Sequence, residues 1–340
     1  MSSTKNIKKS IAVLGAGSWG GTLTWLISNK NEKVTLWTFS KDEYKVIKKT
    51  KALLRPKNLK LNKNVYITTD LSEAIQNSSV IIIAVPTNAF EPVVLKLKEL
   101  KLSKKTVLLS ATKGITNDKY LRPSQILKKH FPQNPIAVLS GPNIALDVIS
   151  ETPTISVIAT KNKNIGLMLQ SLVSTKHFRI YLNDDINGIE IAGALKNVIA
   201  IAGGISDGLG FSMSTKSALI SRGLMEIARI NKYEGGKHST LLSAAGVGDL
   251  IATCCSVNSR NYRVGFELAK GKKLNQILKE LGQVAEGTET VKAMVNLGKK
   301  YKLNLPIANA VYNVIYKNKT PLSELNSLLT RPLPEYEISL

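Results

Sequence analysis

The chain has 340 residues, enough for two domains of ordinary size, and 43% of them are hydrophobic, the share of a globular chain. Lysine and arginine total 47 against 24 acidic residues, giving a formal net charge of +23. Yet the basic clusters from Lys45 to Lys51 and from Lys57 to Lys63 lack the interleaved aromatics or any recognisable module of nucleic-acid binding. The expectation is therefore no nucleic-acid partner, with lysine-rich faces that are solvated and would draw small phosphorylated anions. No segment reads as the roughly 20-residue apolar run of a membrane span. The polar start, Met1 to Lys9, lacks the apolar core and cleavage site of a secretory signal, so a cytoplasmic chain is expected. Adjacent Cys254 and Cys255 are ill placed for an ordinary disulfide, which fits a reducing compartment.

Residues 11–14 have the length and composition of a buried strand. Gly15-Ala16-Gly17-Ser18-Trp19-Gly20 follows at once, and residues 22–27 continue as a helix. A strand, a glycine turn and a helix start are what a dinucleotide pyrophosphate requires. Gly15 permits the tight turn, Gly17 lets backbone approach the phosphates, and Gly20 lets helix and strand pack closely. The helix N-terminus then faces the anion.

Further strands are expected at residues 34–37, 65–68, 79–85, 106–110 and 136–139, with 154–159 and 177–182 extending the sheet. Near-continuous apolar strands separated by helix-length segments indicate a mostly parallel sheet covered on both faces. After the polar stretch 183–188 the pattern becomes helical, with small and apolar residues spaced by three and four. The expected organisation is an α/β Rossmann-type dinucleotide-binding domain over 1–188. An all-α domain for substrate binding and catalysis follows over 189–340, its helices ending near Leu329.

Ligands of an open α/β sheet bind outside the carboxyl ends of its strands. Lys113, in Ala111-Thr112-Lys113-Gly114, and the turn Ser140-Gly141-Pro142-Asn143 stand at such ends. Lys196 lies in a segment otherwise almost free of charge. It either snorkels to the surface or serves as an acid/base in an apolar wall. Asp249, in Gly246-Val247-Gly248-Asp249-Leu250, either caps a helix or pairs with Lys196 and keeps it charged. Ser259-Arg260-Asn261 suits a cluster of phosphate oxygens but also reads as a surface turn. Glu286 is ambiguous alone. His130, His177 and His238 have no triad or zinc spacing, and no metal is expected.

Taken in order, these motifs resemble NAD(P)-dependent glycerol-3-phosphate dehydrogenase of the bacterial type, from about Ile11 to Leu329. Glu286-Gly287 and Gly193-Ala194-Leu195-Lys196-Asn197-Val198 are among the carriers. The resemblance implies NAD(P)H and NAD(P)+ as cofactors and interconversion of dihydroxyacetone phosphate and sn-glycerol 3-phosphate, feeding phospholipid synthesis in the cytoplasm. It also implies a homodimer. Under it Lys196 is the acid/base at the substrate C2 oxygen, and Lys113 touches both cofactor and substrate. Asp249 completes the polar cluster. Ser259, Arg260 and Asn261 hold the substrate phosphate, with Arg260 also near the cofactor. Gly141 and Asn143 lie by the substrate. Gly15, Gly17, Ser18, Trp19, Gly20, Ala145, Val284 and Glu286 line the nucleotide.

Two positions depart from the family pattern. Thr38-Phe39-Ser40-Lys41 stands where a His or Arg is usual, and Asn143-Ile144-Ala145 stands where Ser or Thr, then Phe-Ala, is usual. The first carboxylate after the second strand is Asp42, so no acid is expected where it would repel a 2′-phosphate. NADPH is therefore expected to serve at least comparably with NADH.

Overall fold

A computed structural model describes residues 10–332. Packing divides the chain into two compact units. Residues up to Thr112, with 123–139 and 143–184, form the first; 113–122, 140–142 and the chain from Asp185 onward form the second.

The first unit begins with β1 (Ser10–Leu14), α1 (Ser18–Ser28), β2 (Lys33–Trp37) and α2 (Lys41–Thr50). It continues with β3 (Val65–Thr68), α3 (Leu71–Ile75), β4 (Ser78–Ile83) and α4 (Thr87–Glu99). β5 (Val107–Ser110), α5 (Pro123–His130), β6 (Ile136–Ser140) and α6 (Ala145–Ile149) follow. β7 (Thr154–Ala159), α7 (Lys163–Val173) and β8 (Phe178–Asn183) complete it. The strands lie in the order β3-β2-β1-β4-β5-β6-β7-β8. β1 pairs in parallel with β2 and with β4, and the pairs β2–β3, β4–β5, β5–β6 and β7–β8 are parallel too. Ile11 to Leu14 and Val80 to Ile83 are wholly buried, as strands covered on both faces must be. The order reverses between β1 and β4, and the glycine turn leaves the carboxyl end of β1 at that switch point.

The second unit is helical. α8 (Ile186–Gly208), α9 (Met213–Tyr233), α10 (His238–Leu241) and a π-helical turn over Ala244–Gly248 lead into α11 (Asp249–Cys255). α12 (Arg260–Ala269), α13 (Leu274–Leu281), α14 (Glu286–Lys300), α15 (Pro306–Tyr316) and α16 (Pro321–Leu329) follow. α9, α11, α12, α14 and α15 all pack on α8.

The compact unit starts at Asp185, within the polar stretch before the expected start at 189, and Asp185 caps α8. Asp185 accepts the Gly188 N–H at 3.0 Å, and its second oxygen accepts from Lys237 N at 2.7 Å and Thr240 Oγ1 at 2.6 Å. The loop 113–122 joins this unit through Arg122. Its buried guanidinium donates to Glu190 Oε2 and Asn187 Oδ1, each at 2.9 Å, and lies 3.6 Å from Glu234 Oε2.

α8 also corrects the expectation about membrane-length segments. Its 23 residues are long and apolar enough to cross a membrane, yet 94% of the most apolar window is buried within the protein. A helix that is hydrophobic all round suits the centre of a bundle as well as it suits lipid.

Candidate functional site

Each unit gathers its own set of expected residues. In the first, Gly15 leaves β1 with φ +113°, and a Cβ there would lie 2.6 Å from the Ala84 carbonyl oxygen. Only glycine fits that turn without strain. Gly17 is exposed, and a Cβ on it would meet nothing within 4 Å. As the N-cap of α1 it supplies no side-chain acceptor, so the first-turn amides lack a side-chain cap. Trp19 packs edge-on against Phe178 with ring centres 6.0 Å apart. Its Nε1 is buried without a hydrogen-bond partner among the described residues. An open glycine cradle, an uncapped helix start and a spare buried N–H fit the diphosphate end of a dinucleotide.

The end of β2 differs from expectation. Thr38 Oγ1 donates to Glu43 Oε2 at 2.5 Å, and the Ser40 hydroxyl accepts from Glu43 N as the cap of α2. A carboxylate thus folds back to the strand end, although it lies five residues on in sequence. Phe39 projects outward, 78% exposed, with the Lys96 ammonium 5.6 Å from its ring centre. Asn143 Nδ2 donates to Ser156 Oγ at 3.2 Å. Ala145 opens the short helix α6, which packs on α1.

In the second unit three charged side chains meet. Lys196, on α8 and 5% exposed, donates to Asp249 Oδ1 at 2.6 Å. Lys113, on the loop pinned by Arg122, donates to Asp249 Oδ2 at 2.9 Å and to the Gly141 carbonyl at 2.8 Å. Asp249 is 2% exposed and stands first on α11. One carboxylate therefore serves two ammonium groups, and the cluster carries a net positive charge. Burial, opposed by the pull of Asp249 and aided by the like charge of Lys196, brings the Lys113 ammonium down to about 8. Close approach of the Ser140 turn to α8 depends on Gly193, whose Cβ would lie 2.5 Å from Ser140 Oγ.

Thr253 completes the cluster and was not anticipated. Its hydroxyl accepts from Lys196 Nζ and donates to the Asp249 carbonyl at 2.6 Å. The signal was available, since Thr253 lies one helical turn beyond Asp249 on the same face. Asn197 is a second omission. Its Oδ1 accepts from Asn261 Nδ2 at 2.9 Å, and Asn261 Oδ1 in turn accepts from Gly287 N at 2.9 Å. Asn261 thus ties α12 to α8 and α14. Ser259 caps α12 through Tyr262 N, and Arg260 opens that helix with its side chain exposed. Glu286 begins α14 beside the Asn261–Gly287 link, while Val284, two residues earlier, is exposed.

A switch-point glycine turn on a parallel sheet, followed by a helical unit with a buried Lys–Asp–Lys cluster, defines the two-domain nicotinamide-dependent dehydrogenase class. Residues 10–166 match the family model for the NAD-dependent glycerol-3-phosphate dehydrogenase N-terminus, and residues 185–326 match that for its C-terminus. The chain belongs to this family. It is 40% identical to the glycerol-3-phosphate dehydrogenase (NAD(P)+) of Thermoanaerobacter sp. strain X514 over 321 residues, 94% of this chain and 97% of the relative. It is also 40% identical to the Bacillus subtilis protein of that name, covering 95% and 94% of the two chains. The crystal structure of glycerol-3-phosphate dehydrogenase from Coxiella burnetii superposes with a TM-score of 0.92 at 33% identity, covering 95% of this chain and 99% of that one.

Proposed function

We infer that this chain is an NAD(P)-dependent glycerol-3-phosphate dehydrogenase, interconverting dihydroxyacetone phosphate and sn-glycerol 3-phosphate. The observation that carries the reading is the Lys196–Asp249–Lys113 cluster, in which Lys196 and Asp249 are buried and held by Thr253. Gly15, Gly17, Ser18, Trp19 and Gly20 are the residues we assign to the dinucleotide, with Ala145, Lys113, Arg260, Val284 and Glu286 as further contacts. When bound, the nicotinamide supplies or accepts the hydride at substrate C2.

The protein's part is proton transfer and charge. As the ketone is reduced, an alkoxide develops on the C2 oxygen. The Lys196 ammonium stabilises it and then donates a proton to it; in the reverse direction the neutral amine takes that proton back. Asp249 holds Lys196 in place. Lys113, sharing the same carboxylate, adds positive charge toward an anionic substrate. Arg260, with Ser259 and Asn261 beside it, binds the phosphate, and Gly141 and Asn143 lie by the substrate. Anchoring the phosphate supplies binding energy remote from C2 and orients the reacting carbon.

The same reading includes a cytoplasmic homodimer that supplies glycerol phosphate for phospholipid synthesis. A purified sample should oxidise NADH or NADPH when given dihydroxyacetone phosphate, and far more slowly when given unphosphorylated dihydroxyacetone. Absence of turnover with the phosphorylated ketone, in a sample that binds NADH, would overturn the reading.

A further inference from the structure

α12 opens with Arg260, assigned above to the substrate phosphate, and α8 carries Lys196. The two helices meet backbone to backbone. A Cβ on Gly204 of α8 would collide with the Tyr262 carbonyl, and one on Gly265 of α12 with the Ile201 carbonyl. A glycine face brings helices close but presents no ridge to stop one sliding along the other. Side chains at consecutive positions of α12 supply that stop. Asn261 Nδ2 donates to Asn197 Oδ1 at 2.9 Å, whereas the Tyr262 hydroxyl donates to Asp207 Oδ2 at 2.7 Å. The two acceptors stand ten residues apart on α8, about 15 Å along its axis. One such bond would let the first turn of α12 pivot, and two this far apart fix its place and its rotation.

Asp207 is itself held. Lys216, on α9, donates to the same Oδ2 at 2.6 Å, and its ammonium stands 5.8 Å from the centre of the Tyr262 ring. Lys216 and Tyr262 are both buried. Desolvation and the bond to Asp207 raise the Tyr262 hydroxyl to about 12, so it stays a donor throughout the neutral range. Three helices thus converge on one carboxylate outside the Lys196–Asp249–Lys113 cluster.

We propose that Tyr262, Asp207 and Lys216 are positioning residues that set the spacing between the first turn of α12 and the Lys196 ammonium. The proposal rests on the dehydrogenase reading, in which that turn binds phosphate. A substrate with its phosphate and its reacting carbon on one short frame needs both sites at a fixed separation. A misplacement of about 1 Å is enough to lower turnover. Inorganic phosphate and unphosphorylated dihydroxyacetone each use one end only and do not sense the spacing.

The test measures, on the full chain, kcat/KM for dihydroxyacetone phosphate, kcat/KM for dihydroxyacetone, and the inhibition constant of inorganic phosphate against the phosphorylated ketone. Tyr262→Phe removes one hydrogen bond, keeps the ring stacked on Phe266 at 6.2 Å and leaves Asp207 paired with Lys216. It should lower kcat/KM for dihydroxyacetone phosphate about 5–10-fold, within the worth of one hydrogen bond, with the other two quantities within about 2-fold of wild type. Lys216→Met keeps the buried stem and releases Asp207. It should lower the same quantity at least about 3-fold, and it carries the test if Tyr262→Phe does not fold. Loss of stability alone would not separate the joined substrate from its two parts. Wild-type kcat/KM for dihydroxyacetone phosphate in the folded variants, or parallel losses in all three quantities, would overturn the proposal and leave the reading intact. A wild type that inorganic phosphate does not inhibit, or that uses dihydroxyacetone as well as its phosphate, would overturn the reading and the proposal with it.

Discussion

Replacing Asp249 by Asn keeps the shape of the side chain and removes its charge, leaving two ammonium groups with no anion between them. In the native cluster the carboxylate lies 2.6 Å from Lys196 Nζ and 2.9 Å from Lys113 Nζ, and Asp249 is 2% exposed. Removing one partner of such a buried pair costs about 3–5 kcal/mol, because the remaining charge is neither hydrated nor paired. The cost should depend on pH. Lys113 already sits at about 8, below its ordinary value of 10.5, mainly through burial, and Asp249 is the group that pulls it upward. Without that carboxylate its folded-state value falls below 8.

A lowered folded-state value means the unfolded chain binds more protons between the two values, so stability rises with pH across that window. In the wild type the window runs from about 8 to 10.5, and the rise amounts to about 3 kcal/mol at 1.36 kcal/mol per unit. In Asp249→Asn the window opens at lower pH. Urea unfolding followed by far-ultraviolet circular dichroism, which reports helix content, should show the variant destabilised by about 3–5 kcal/mol at pH 6.5. The deficit should shrink by at least about 1 kcal/mol at pH 9.5, where Lys113 has shed its proton. A deficit under about 1 kcal/mol at pH 6.5, or one that does not change with pH, would refute the reasoning.

Arg260→Ala should lower kcat/KM for dihydroxyacetone phosphate by about 2–5 kcal/mol while changing the slow reaction of dihydroxyacetone much less; equal losses would mean Arg260 does not read the phosphate. Glu43→Gln should raise the NADPH to NADH ratio of kcat/KM by about 10-fold, or 1.4 kcal/mol, since a carboxylate at the end of β2 repels a 2′-phosphate. An unchanged ratio would place the adenosine ribose elsewhere. Glu226, which accepts from Ile307 N and Ala308 N at the start of α15, is raised to about 7 by burial. Its carboxyl is raised above the unfolded value of 4.5, so its contribution is present below that value and is lost as pH rises through 7. Relative to Glu226→Gln, the wild type should therefore lose about 3 kcal/mol of stability between pH 4.5 and 7. Parallel pH profiles for the two proteins would contradict this.

Strands β1 to β8 fall within a residue or two of their expected places because each is a buried apolar run between turn residues. Periodicity identifies such runs reliably when helices cover both faces of a sheet. In the polar stretch before α8, the sequence does not single out Asp185 as the cap of that helix. Its bonds to Lys237 and Thr240, about 50 residues away, exist only in the folded chain. Among the site residues, Lys196 and Asp249 stood out because a charge in an apolar helix needs a partner, and each is the other's. Thr253 was readable by its spacing, but a hydroxyl in a helix has no such need and drew no notice. Glu43 was hidden for a different reason: strand-end chemistry was sought in the next few residues, whereas the side chain returns from the first turn of α2.

Lys196 is proposed above as the proton donor and acceptor at substrate C2. The direct test compares wild type with Lys196→Ala in dihydroxyacetone phosphate-dependent oxidation of NADH and NADPH, alongside NADH affinity measured by fluorescence. Wild type should turn over with both cofactors, and the variant should lose about 10²–10⁴-fold in kcat with NADH affinity retained. A folded Lys196→Ala protein that turns over near the wild-type rate would contradict it.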